Sequence, residues 1–76
     1  MSFQAYLDTI ERKTGKTPAD LRAIGAEKGW VADGTLAPGI KPTAIVDALK
    51  ADLGLGHGHA MAVVALLKGT KQEGDA

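Results

Sequence analysis

Gly54 to Lys68 reads GLGHGHAMAVVALLK, a glycine-rich turn that runs into eight consecutive apolar residues, Ala60 to Leu67. Ala, Leu and Met favour helix, and a helix that is apolar on every side has no face to offer to water. The stretch therefore predicts a helix enclosed by the rest of the chain. Working outward from it, the spacing predicts an all-α fold. It is a small four-helix domain over residues 2–68 with the apolar C-terminal helix at the centre, followed by a polar, flexible tail, 69–76.

On the N-terminal side, Phe3, Tyr6, Leu7 and Ile10 recur at three- and four-residue spacing, which places them on one face of a helix over Ser2 to Lys13. Ser2 suits the N-cap, and Gly15 suits the residue after the last turn. Thr17-Pro18-Ala19-Asp20 is a second helix start, with Thr17 as cap and Pro18 at the first helical position. Leu21, Ile24 and Ala23 are expected to face inward, and Gly29 to end the helix. Trp30 follows as the only tryptophan, sized to anchor helix ends. Asp33-Gly34 and Pro38-Gly39 are turn dipeptides, so Val31 to Lys41 reads as an ordered loop or two successive turns, without strands. Pro42 and Thr43 open a third helix that buries Ile45, Val46, Leu49 and Leu53 and ends at Gly54. A tight connector follows, with His57 or Gly58 capping the fourth helix and Gly69 closing it.

The chain has 76 residues and no cysteine, which leaves room for one domain and none for disulfides or thiolate metal sites. Nine basic and nine acidic side chains cancel, so attraction to nucleic acid or acidic lipid needs a local patch. MSFQAYLDTIERK lacks the basic start and apolar core of a secretory signal. The longest apolar run falls far short of the ~20 residues that span a bilayer. These features predict a soluble cytoplasmic protein with no membrane contact.

Few residues suggest chemistry. Thr14-Gly15-Lys16-Thr17 resembles the end of a phosphate-binding loop, but that motif needs a glycine where Ile10 stands and a strand before it. It reads better as one helix end meeting the next helix start. His57 and His59 could bind a metal, but a zinc site wants further ligands, and these are the only two histidines. His57 then caps the helix and His59 sits in its exposed first turn. No hydroxyl side chain has a histidine within a recognisable motif, so no catalytic residue, metal ligand or cofactor is assigned. The turn itself is the remaining candidate. Gly54-Leu55-Gly56, then Ala60, then Val63 and Val64, resembles the helix-hairpin-helix motif of DNA-binding proteins, in which glycines let backbone amides approach a phosphate. Gly54, Leu55, Gly56, His57, Gly58, His59 and nearby Lys50 form the candidate binding set. The alternative is a tight helix–helix turn with no ligand.

Three separated blocks, SFQAYLDTIERKTGKTPADL, GIKPTAIVDALK and GLGHGHAMAVV, carry a resemblance over Ser2 to about Lys68. In that order they resemble the bacterial domain-of-unknown-function family numbered 4287. The resemblance implies a compact, mainly helical domain and supplies no ligand, activity or catalytic residue.

The sequence thus points first to a non-enzymatic interaction module whose exposed features are the Gly54–His59 turn and whatever part of the fourth helix the other three leave uncovered. An apolar face left open favours a homodimer or another protein partner. The alternative is weak, salt-sensitive nucleic-acid or phosphate binding through the GLGHGHA turn. A second alternative is a small metal protein or enzyme using His57 and His59.

Overall fold

Local capping sets most of the element boundaries. The structure is a computed structural model that describes residues 2–74. Helix α1 (Phe3–Thr14) starts where the Ser2 hydroxyl accepts a hydrogen bond from the Ala5 amide at 3.2 Å. It ends where the Gly15 amide donates to the Glu11 carbonyl at 2.7 Å. Phe3, Leu7 and Ile10 are buried, as their spacing predicts. Helix α2 (Pro18–Glu27) opens on a reciprocal capping box. The Asp20 amide donates to the Thr17 hydroxyl at 3.2 Å, and the Thr17 amide donates to the Asp20 carboxylate at 3.0 Å. Each of these amides would otherwise lack a partner. The bonds from Thr17, its backbone amide first, hold the Asp20 carboxyl below its ordinary range.

The inward face of α2 differs from expectation at one position. Leu21 is buried and Ile24 half-buried, but Ala23 is exposed and Gly25 takes the buried place. Successive helical residues turn by ~100°, so residues 21 and 25 share a face while residue 23 points away. Gly25 lets α2 come close to the last helix: a Cβ there would lie 3.0 Å from Leu67 Cδ2.

The all-α expectation is corrected by a small hairpin. Strand β1 (Val31–Ala32) pairs antiparallel with β2 (Thr35–Leu36), Val31 opposite Leu36 and Ala32 opposite Thr35. The turn residues Asp33 and Gly34 have φ of 53° and 82°, the signature of the tight turn whose twist suits a hairpin. The dipeptide was visible in the sequence. Strands of two residues are too short to show alternation. The Thr35 hydroxyl donates to the Lys68 carbonyl at 3.1 Å, tying the hairpin to the end of the last helix. Trp30 is buried in the core at the base of the hairpin, its amide donating to the Gly25 carbonyl and its carbonyl accepting from Ala37. Pro38 and Gly39 form the expected turn, closed by the Ile40 amide on the Ala37 carbonyl.

Helix α3 (Pro42–Leu53) buries Ile45, Val46 and Leu49, with Leu53 half-buried. Helix α4 (His57–Lys68) packs against α1, α2, α3 and β2. Ala60, Ala62, Val63, Val64, Leu66 and Leu67 are buried in it. The apolar run is not enclosed throughout, because Met61 keeps 42% of its surface exposed. The molecule is thus mostly helical, with four helices and one two-stranded sheet among the described residues. None of those helices is long and apolar enough to cross a membrane.

Past Gly69, the Thr70 and Lys71 amides bond to the Ala65 carbonyl. Glu73 pairs with Arg22, and the Gly74 amide donates to Gln4 Oε1 at 2.8 Å. The last two residues of the expected flexible tail, 75–76, lie outside the described residues.

Candidate functional site

The turn between α3 and α4 is built by backbone geometry. Gly54 ends α3 at φ 68°, a conformation costly for any residue with a Cβ. Leu55 drops into the core, and this fixes the direction in which the chain leaves the turn. Gly56 is extended and is the N-cap of α4. Capping by His57 or Gly58 is therefore corrected. The Ala60 amide donates to the Gly56 carbonyl at 2.9 Å, the first bond of the helix, so His57 is already its first residue. No side chain caps this end, and nothing lies within 4 Å of where a Gly56 Cβ would stand. The first amides of α4 therefore meet no side-chain acceptor, the arrangement an anion would use.

The two histidines are not equivalent. His57 is exposed and His59 half-buried, which corrects the expected exposed position of His59. Its ring meets Tyr6 of α1 edge-on, centroids 5.1 Å apart and planes at 81°. Its Nε2 is shielded from solvent without a hydrogen-bond partner. Side chains two apart on a helix diverge by ~200°, so His57 and His59 do not converge on one metal ion. Among the described residues no group of three or more His, Asp or Glu side chains could hold one.

The cations an anion site would draw on are dispersed. Lys50 is exposed on α3. Lys28 pairs with Asp52 at 3.4 Å, so this cation is matched by an acid in the last turn of α3. Arg22 is held by Glu73. Lys68 is at the other end of α4, ~16 Å along its axis from His57.

A different surface adjoins the turn. Phe3 and Tyr6 of α1, with Gly58, Met61, Ala62 and Ala65 of α4, line an open groove of about 420 Å³, flanked by Lys71. Helical spacing sets Tyr6 on the same face as Phe3, Leu7 and Ile10, and nothing in the sequence singles out Met61. The available signal was the run of small residues at 58, 62 and 65, which share a face with Met61 at helical spacing.

The sequence model of a family described as a domain of unknown function (DUF4287) matches residues 2–69. The chain belongs to this family. The DUF4287 match takes in all four helices, the hairpin and the α3–α4 turn. Segment 70–74, with Glu73, lies beyond it. No curated protein and no solved structure gives a significant match.

Proposed function

We propose that this DUF4287 domain is a non-enzymatic interaction module, organised around α4, that self-associates through the α1–α4 face. The observation that carries this is Met61. It is the exposed large hydrophobic side chain of the described residues, and it stands beside a groove walled by Phe3, Tyr6 and Ala62. Methionine adapts to irregular apolar surfaces, and a two-fold pairing would set each Met61 against the partner's groove. A standard interface takes ~800 Å² per partner, roughly a fifth of the 4295 Å² surface. The groove would then be the centre of the contact and not its whole extent. Sedimentation velocity from 1 to ~100 μM (the range in which modest interfaces form) tests it. A concentration-dependent dimer that Met61→Glu abolishes is expected, and a monomer throughout refutes it.

The uncapped start of α4 supports a second reading, a weak phosphate contact at Gly54, Leu55, Gly56, His57, Gly58 and His59 with Lys50 beside them. The scattered cations weigh against it, since affinity for a phosphate backbone comes largely from clustered positive charge. Amide NMR with short duplex DNA at low salt decides the point: no shifts at residues 54–60 would reduce the turn to chain geometry.

A further inference from the structure

The Arg22 guanidinium donates through Nη1 and Nη2 to the two carboxylate oxygens of Glu73, at 2.7 and 2.6 Å, across 51 residues of sequence. This fork-to-fork pairing is the geometry by which arginine recognises a carboxylate. Arg22 is also one wall of an open pocket of about 120 Å³, whose other walls are Val31, Gly34, Leu66 and Leu67. Arg22 is the one charged residue among these walls, and Glu73 is not one of them. Glu73 satisfies the cation and brings no aliphatic group to these walls.

We propose that Arg22 and this pocket form a receptor for the C-terminal carboxylate of a partner protein ending in a small aliphatic residue, with Glu73 as the intramolecular occupant of the guanidinium. In a C-terminal residue the carboxylate and the side chain leave the same Cα, so one residue reaches both the cation and the apolar walls. An Asp or Glu side chain has a carboxylate but no aliphatic branch beside it. The volume sets the size. An apolar cavity of ~150 Å³ takes benzene, so this smaller one suits valine or leucine and not a larger aromatic. Capture of a terminal carboxylate is a recurring mode of peptide recognition. Glu73 can be displaced, because the paired side chains keep 45% and 43% of their surface exposed and solvent weakens such contacts. The site is separate from the α1–α4 groove, so its failure would leave the self-association proposal standing.

The test is an NMR titration of the full chain with acetyl-Gly-Ser-Gly-Val as the free acid and as the C-terminal amide. The free acid is expected to give saturable shifts at Val31, Gly34, Leu66 and Leu67, with the amide binding about ten-fold more weakly. Removing the internal competitor with Glu73→Gln should tighten binding about two- to six-fold. Arg22→Gln should reduce the free acid to the affinity of the amide. Equal binding of acid and amide overturns the proposal, and so does a Glu73→Gln chain that binds no more tightly. Isobutyrate binding as tightly as the peptide would also overturn it, by making the ligand a small acid and not a protein terminus. The acid–amide comparison needs no variant, so it stands if a substitution impairs folding.

Discussion

Replacing His59 with phenylalanine should stabilise the domain, although it removes a histidine from the candidate turn. His59 Nε2 is shielded from water and has no partner. Leaving a buried polar group unpaired costs roughly 1–3 kcal/mol, and phenylalanine has no such group. The edge-on contact with Tyr6 at 5.1 Å survives, because a phenyl edge also carries partial positive charge. Such a pair contributes ~0.5–1.5 kcal/mol and should change little. Helix propensities of His and Phe are nearly equal. The opposing effect is size: a slightly larger ring in a packed site costs ~1–3 kcal/mol when it cannot move. His59 is only half-buried, so the ring can shift outward and the cost should lie at or below that lower limit. The balance is a gain of about 1 kcal/mol, which raises Tm by ~4–8 °C for a domain of this size. Thermal and urea unfolding followed by circular dichroism at pH 8 would measure it. A fall in Tm of several degrees would refute the reasoning. It would mean either that the ring cannot shift outward or that Nε2 is satisfied in solution by an ordered water or a bound group, and the second would return His59 to the functional surface.

Other substitutions probe packing, caps and charge. Met61→Glu should leave stability within ~0.5 kcal/mol, as for most surface changes, while sedimentation shows the dimer lost. At Gly25, an added Cβ would sit 3.0 Å from Leu67 Cδ2 and 3.4 Å from Val31 Cγ1. Gly25→Ala should be near neutral in urea unfolding, because about 1 kcal/mol of helix propensity offsets the crowding and Leu67 borders an open pocket. Gly25→Val adds more bulk with less propensity gain and should cost ~2 kcal/mol. Thr17→Ala removes the N-cap of α2 and should cost about 1 kcal/mol by the same assay. The hydrogen bonds from Arg22 hold the Glu73 carboxyl down, from 4.5 to about 2. A depressed folded value means the contact stabilises the fold fully above pH 4.5 and fades as pH falls to about 2. Carbon-detected NMR of the Glu73 carboxyl should show that titration, and a midpoint near 4.5 would refute the pairing in solution.

Much of this architecture was legible because its signals are local. Ser2, Thr17-Pro18, Gly15, Gly54 and Gly69 mark helix ends through bonds or backbone conformations that span only a few residues. The buried faces of α1 and α3 were written in the spacing of Phe3, Leu7 and Ile10, and of Ile45, Val46 and Leu49. The hairpin escaped because its strands are two residues long, and the cap of α4 because glycine caps without a side-chain signal.

The sequence by itself determined where the chain would be helical, where α1, α3 and α4 would stop, and which faces α1 and α3 would hide. A cap needs only its own turn and an amphipathic face needs only its own period. The tertiary structure decided which faces meet. It placed Tyr6 against His59, Gly25 against Leu67, Arg22 within reach of Glu73, and Met61 in the open beside an apolar groove. Those pairings depend on how the helices pack across the whole chain, and no short stretch of residues encodes them.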